Sequence, residues 1–347
     1  MTERPGLRPG RIVSSMRASV KRCDLDLRGL TVLTEAASGA YVVTPVLAAL
    51  AGAERVLAVT RPTRYGTVEE VRAATLALAR ATGVEDRITV VAGCSRDLVA
   101  QADIVTNSGH VRPLDAPTIA AMKPGTVIAL MYEGWEFRAE DLDLDACQAA
   151  GVLVAGSNER HPHFDVFSYL GPLAVKLLAD AGVGVYGSTI LLLCDNPFSD
   201  YLSKGLRAAG ATVEIATRPC EARSQAFDAI IVSLTPRKNS LVLDAADART
   251  IACRWPDVVV GQFFGDIDRA ALAEHDVVAW PAAAPAPGHM GVLLSELGPD
   301  PIVRLQAAGL KSAEALWRQN SPGRRSTDRD YVEVLVDRNG VRCAVSC

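Results

Sequence analysis

The sequence predicts an α/β protein made of two doubly wound parallel-sheet domains with a ligand cleft between them. Three observations carry this expectation. Short apolar runs alternate with helix-length stretches along most of the chain, and parallel neighbours need such crossover helices. The alternation restarts at Gly187, after a long apolar stretch over 164–181. The 347 residues are 49% hydrophobic but only 5% aromatic, which suits repeated strand–helix packing over about two domains.

The elements follow in order. A basic lead (Arg4, Arg8, Arg11, Arg17, Lys21, Arg22) is expected to be irregular, and without an apolar core segment it is no secretory signal. Residues 30–34, 55–60, 87–91, 103–106, 126–130 and 152–154 read as strands. Between them, 42–51, 67–82, 117–122 and 140–150 read as helices. Thr67 with Glu70 three residues on has the spacing of a capping box. The stretch 164–181 reads as a long helix carrying the chain from one domain to the next. Beyond it, strands are expected at 189–194, 212–215, 229–232, 258–260 and 277–280, with helices at 198–209, 241–251 and 267–274. A final helix at 301–319 precedes a hairpin, 331–336 and 341–345, turned by Asn339-Gly340. The expected division is therefore 1–163, a Rossmann-like nucleotide-binding domain, and 164–347, a second Rossmann-like domain ending in that helix and hairpin.

Composition excludes several classes. A net charge of −4 and a pI near 5.8 lack the basic balance of a nucleic-acid protein. No uncharged apolar run reaches the ~18 residues of a membrane span. The eight cysteines form no CxxC pair, so neither a disulfide framework nor a structural zinc site is expected. Several, such as Cys194 and Cys253, sit in apolar runs where a reduced thiol packs as a small hydrophobe. Cys343 and Cys347 are spaced too far along one strand to bridge. The setting expected is cytoplasmic, with a small-molecule substrate, no nucleic acid and no membrane, and with room for a homodimer.

Ligands of open parallel sheets bind beyond the carboxyl ends of the strands. The turn after the first strand offers Ser38 and Gly39 but not the full Gly-x-Gly-x-x-Gly that lets backbone approach a pyrophosphate. The corresponding turn of the second domain, Asp195-Asn196-Pro197-Phe198-Ser199, has no glycine. The second strand ends at Thr60-Arg61 with Arg64 nearby, where a carboxylate would otherwise hold the ribose 2′-hydroxyl. This suits a 2′-phosphate and hence NADP over NAD; a surface arginine pair is the equal alternative.

One stretch resembles a known group. Ala102-Asp103-Ile104-Val105-Thr106-Asn107-Ser108-Gly109-His110, followed by Met122-Lys123-Pro124-Gly125-Thr126-Val127-Ile128, is similar to the second half of the NAD domain in formate/glycerate-type (2-hydroxyacid) dehydrogenases and in S-adenosylhomocysteine hydrolases. The resemblance covers about residues 100–155. It implies a nicotinamide cofactor, with Thr106 and Asn107 beside its ribose. It also implies a catalytic histidine backed by a carboxylate, and an arginine gripping the substrate carboxylate. His161 and His163 follow the sixth strand, about where those families carry Pro-His-x-Gly. His289, in Pro287-Gly288-His289-Met290-Gly291, resembles that motif locally but belongs to the second domain.

His163 is the preferred proton-transfer group, with Asp165 or Glu133 to fix its tautomer. Pro162 is expected to send the His161 side chain elsewhere. Glu133 or Glu136 is the candidate partner carboxylate, and Arg112 or Arg138 the anion clamp; for each, a surface or capping role is the competing reading. A helix cap is the competing role for His163. No metal is expected, with His161-Pro162-His163 plus Glu159 or Asp165 the lesser alternative. The function expected is an NAD(P)-dependent oxidoreductase acting on a small carboxylated or amino-acid-like metabolite. The alternative is a Rossmann-like lyase, transferase or ligand-binding protein that has lost dinucleotide binding.

Overall fold

The structure is a computed structural model that describes residues 5–223, 226–237, 240–321, 329–338 and 340–341. The chain forms two compact units: 1–166 together with 298–347, and 167–297.

After a 3-10 turn (Pro5–Leu7), unit 1 forms a helix, α1 (Pro9–Arg22), where an irregular lead was expected. Ile12, Val13 and Met16 recur at helical spacing and are buried, while the basic residues occupy the outer face. Then come β1 (Thr31–Glu35), α2 (Val43–Leu50), β2 (Arg55–Thr60), α3 (Val68–Thr82), β3 (Ile88–Ala92) and α4 (Arg96–Val99). The expected capping box is present at α3: Glu70 N donates to Thr67 Oγ1 at 3.2 Å and Thr67 N to Glu70 Oε2 at 2.8 Å. The series continues with β4 (Ile104–Thr106), α5 (Ala116–Ile119), β5 (Val127–Ala129), α6 (Leu144–Ala150) and β6 (Leu153–Ser157).

Unit 2 holds α7 (Leu170–Asp180), β7 (Thr189–Cys194), α8 (Phe198–Ala208), β8 (Thr212–Ala216), β9 (Ala229–Ser233), α9 (Ala245–Arg254), β10 (Val259–Phe264), α10 (Arg269–Glu274) and β11 (Val278–Trp280). Its five strands are all parallel, in the order β11-β10-β9-β7-β8. Counted from β7 this is 2-1-3-4-5, one of the two common doubly wound orders. The helix expected over 164–181 starts only at Leu170, with a 3-10 turn (Phe167–Tyr169) before it. Pro172 therefore falls in the first helical turn, where its missing N–H has no partner to lose. Gly171 and Gly205 let α7 and α8 touch along their backbones: a Cβ on Gly205 would lie 2.3 Å from the Gly171 α-carbon.

The chain then returns to unit 1 through α11 (Pro299–Gln319), β12 (Val332–Asp337) and β13 (Gly340–Val341). This corrects the expected division at 163, which gave the last helix and hairpin to the second domain. The cause is packing that local pattern does not reveal. From Ile302 to Leu316, α11 is buried except at Arg304 and Leu305, and it packs on β5, β6, α1 and α2. Its polar residues are also tied inside unit 1. Lys311, 2% exposed, donates to the Asp24 carbonyl at 3.0 Å and lies 3.2 Å from Glu314. Glu314 accepts from Asp26 N at 3.0 Å and Arg318 at 2.6 Å. β12 pairs antiparallel with β6, so the sheet order is β13-β12-β6-β5-β4-β1-β2-β3. The expected second hairpin strand and its turn residue Asn339 lie largely outside the described residues, as do Cys343 and Cys347.

The six parallel strands of unit 1 thus run 3-2-1-4-5-6, the order of dinucleotide-binding sheets, with its reversal between β1 and β4. Among the described residues no helix is long and apolar enough to cross a membrane. The six described cysteines are free; Cys194 is buried as expected, whereas Cys253 is exposed.

Candidate functional site

The reversal point of unit 1 gathers polar groups at the carboxyl ends of its strands. Thr34 and Thr106 face each other across β1 and β4, oxygen to oxygen at 2.8 Å, and Thr106 meets Ser108 at 2.9 Å. β1 ends in a buried carboxylate, Glu35, which fills the space over Gly109: a Cβ there would lie 1.6 Å from Glu35 Oε2. Burial pushes the Glu35 pKa up, against the opposing pull of Arg112 and of hydrogen bonds from the His110 backbone and Ser108. The Tyr41 phenol is also pushed up, first by burial and then by Glu35 and Glu159.

The expected cofactor residues lie along this edge. Ser38 is half-buried; Gly39 is exposed at φ +65°, and a Cβ on it would meet nothing within 4 Å. Thr60 is fully buried, and its hydroxyl has no hydrogen-bond partner. Arg61 is exposed and donates from Nε to His110 Nδ1 at 3.3 Å, so the ends of β2 and β4 meet. Arg64 lies over the Tyr65 ring at 4.7 Å and hydrogen-bonds its hydroxyl, away from Arg61's partner. Asn107 is fully buried; its Nδ2 donates to the Tyr132 hydroxyl at 3.0 Å, while its Oδ1 has no partner. Open space at Gly39, two arginines at the end of β2 and an orphaned buried amide oxygen after β4 fit a dinucleotide. In unit 2 the equivalent turn does not. Asn196 caps Phe198 N at 3.0 Å, Asp195 accepts from Thr235 N at 2.7 Å, and Pro197 has no N–H to offer.

The loops after β5 and β6 form an acidic cluster. Glu133 is fully buried and holds both loops together, accepting from Trp135 Nε1 at 2.7 Å, Glu159 N at 3.0 Å and Arg160 Nε at 3.2 Å. Those bonds commit Glu133 to the loops and not to His163, whose expected partner it was. Burial and the neighbouring Glu133 push Glu136 up to about 7. Glu159 is pushed well above the carboxylate range by burial, Glu136 and Glu133. Arg112 is tied to Asp141 at 2.7 Å and lies 5.9 Å from the Tyr132 ring centre, while its buried Nε has no partner.

His163 is exposed, and its Nδ1 hydrogen-bonds the Tyr331 hydroxyl. Its ring lies 4.9 Å from that of His161, which lies 4.2 Å from Tyr331. Pro162 therefore does not separate the two imidazoles as expected, because Tyr331, arriving with β12, gives both rings one platform. His163 does not cap α7, which starts at Leu170. Asp165 lies 3.9 Å from Arg304. His289 belongs to unit 2, where its Nδ1 meets the Pro287 carbonyl at 2.9 Å. Among the described residues no group of three or more His, Cys, Asp or Glu could hold a metal ion. Sequence reasoning gave no role to Glu35, Tyr41 or Tyr331. A carboxylate closing a buried strand was the available signal for Glu35; nothing local marks Tyr331.

The two sheet orders define a doubly wound α/β protein of the dinucleotide-binding architecture. No family model matches the sequence, and no curated protein does. Among solved structures, the chain is similar to a dipicolinate synthase chain from Bacillus subtilis: TM-score 0.55 and 13% identity, over 86% of this chain and 100% of that one. It is similar to the corresponding dipicolinate synthase chain from Bacillus halodurans at TM-score 0.50 and 13% identity, over 81% and 96%. An NAD-dependent formate dehydrogenase from Staphylococcus aureus in complex with NAD matches at TM-score 0.45 and 14% identity, over 81% and 99%. At such identities the likeness is one of fold.

Proposed function

We propose that this chain is an NAD(P)-dependent oxidoreductase acting on a small carboxylated or amino-acid-like metabolite, with the cofactor on unit 1. The observation that carries this reading is the 3-2-1-4-5-6 strand order, whose reversal point is edged by Gly39, Thr60, Arg61 and Asn107. The fold shared with dipicolinate synthase over that chain's full length makes a small carboxylated substrate a fitting class. Ser38 and Gly39 would hold the pyrophosphate, Arg61 and Arg64 a 2′-phosphate, and Thr106 and Asn107 the nicotinamide ribose. The cofactor, when bound, supplies a hydride acceptor or donor.

The chain's own residues do the rest. The Tyr331 hydroxyl on Nδ1 fixes the His163 ring, which leaves Nε2 to exchange a proton with a substrate hydroxyl or amine. His289 is the competing proton-transfer group. Arg112 draws an anionic substrate group toward the edge, and Glu133 positions the loops around it. The setting is cytoplasmic, and a homodimer is compatible with the reading.

The test is thermal stability with NADH and NADPH. Cofactor at a hundred times its Kd should stabilise the protein by ~2.7 kcal/mol. No shift with either would favour the second reading, a lyase, transferase or ligand-binding protein without a dinucleotide. Specific observations favour it: the buried Glu35 carboxylate beside the turn, the single glycine there, and the capped α8.

A further inference from the structure

Unit 2 contains a pocket of about 360 Å³ at the carboxyl ends of its strands, on the edge where ligands of open parallel sheets bind. Three successive loops build it: Arg237 and Ser240 follow β9, Asp266 and Arg269 follow β10, and Pro285 and Pro287 follow β11. Arg269 is fixed rather than loose. Its Nε donates to Gln262 Oε1 at 2.8 Å and its Nη1 to the Pro281 carbonyl at 2.7 Å. Gln262 is itself held by the Gly265 carbonyl at 2.8 Å. Yet Arg269 Nη2 is buried and has no acceptor. A guanidinium nitrogen held out of water without a partner is costly to keep. A ligand carboxylate in the pocket would give this guanidinium group an acceptor.

The rest of the lining limits what that ligand can be. Arg237 is exposed and pairs with no carboxylate among the described residues. The Asp266 carboxylate also lines the pocket, where it accepts the Gly288 N–H at 3.0 Å. Among the described lining residues, two arginines and one aspartate leave a single net positive charge, which suits a monoanion better than a phosphate dianion. The remaining walls, Leu241, Ile267 and Ala284 with the two prolines, are apolar. We propose that this pocket binds the carboxylate of a small monocarboxylic acid with an apolar body, gripped by the guanidinium groups of Arg269 and Arg237. The site stands apart from the cofactor reading, which concerns unit 1, and each can fail without the other.

Calorimetric titration of the full chain with benzoate, benzyl alcohol and inorganic phosphate tests this without any nicotinamide cofactor. Benzoate should bind, and the neutral alcohol and phosphate should each bind at least tenfold more weakly. Arg269→Lys keeps the charge but loses the forked donor, and should weaken benzoate at least tenfold. Arg237→Ala alters only an exposed side chain, keeps the test valid if the first variant misfolds, and should weaken benzoate at least threefold. Absence of benzoate binding, equal binding of the alcohol or phosphate, or indifference to Arg237→Ala would each overturn the proposal.

Discussion

Replacing Gly109 by alanine forces a collision at the carboxyl end of β1. The new Cβ would lie 1.6 Å from Glu35 Oε2 and 2.7 Å from Glu35 Cδ, so the buried carboxyl group must swing away. It then gives up its hydrogen bonds from the His110 backbone and Ser108, worth about 1.5–3 kcal/mol for a carboxylate. The backbone adds strain, because Gly109 sits at φ +37° and a side chain there costs about 1–2 kcal/mol. Together these come to about 2.5–5 kcal/mol. The chain has two units, so a single unfolding curve would mix them. Hydrogen exchange of peptides covering β1 and β4 under increasing urea reads the loss in unit 1 directly. Combining Gly109→Ala with Glu35→Ala removes the colliding group, and the double variant should cost less than the sum of the singles. A loss below about 1 kcal/mol for Gly109→Ala, or strict additivity in the double variant, would refute the packing of Glu35 over this glycine.

Three further outcomes are expected. Glu136, pushed up to about 7, and Glu159, also raised, keep protons in the folded state that the unfolded chain has released. Stability should therefore fall as pH rises from about 4.5 to 7, by up to ~1.4 kcal/mol per pH unit for Glu136, with Glu159 acting in the same direction. Glu159→Gln should flatten that fall and gain over wild type at pH 8 but not at pH 4; an unchanged pH curve would contradict the buried cluster. Arg61→Ala should lower the preference for NADPH over NADH roughly ten- to a hundredfold in the ratio of dissociation constants; a wild type that prefers NADH defeats the assignment. Once a substrate is known, His163→Ala should cost ~10²–10⁴ in turnover and change the pH profile, and a loss confined to His289→Ala would move the proton-transfer group to unit 2.

The strands were legible because apolar runs bounded by turns need no tertiary information: β2 and β7 run over the very residues the pattern marks. The capping box at Thr67 and Glu70 was equally local. What escaped was decided by long-range partners. The arginines of α1 drew attention from Ile12, Val13 and Met16, which make it an amphipathic helix on the core. Lys311 and Glu314 look like surface residues of a terminal helix, yet their mutual pairing and their bonds to Asp24 and Asp26 bury α11 in unit 1. At the site, the ends of β1, β2 and β4 were correctly taken as one edge. The contact of Glu35 with Gly109 and of His163 with Tyr331 joins residues far apart in sequence, and no spacing rule announces either.

On the proposed reading, a nicotinamide dinucleotide binds at the reversal point of unit 1 with its pyrophosphate over Gly39. The most direct measurement is the dissociation constant of NADPH by fluorescence, on wild type and Gly39→Val side by side, with folding checked by circular dichroism. Gly39 is exposed at φ +65° with open space above it, so a branched side chain there would block the approach of a ligand. Saturable binding to wild type and its loss in the folded variant are the expected results. Equal affinity in both proteins, or no binding to wild type at all, would contradict it.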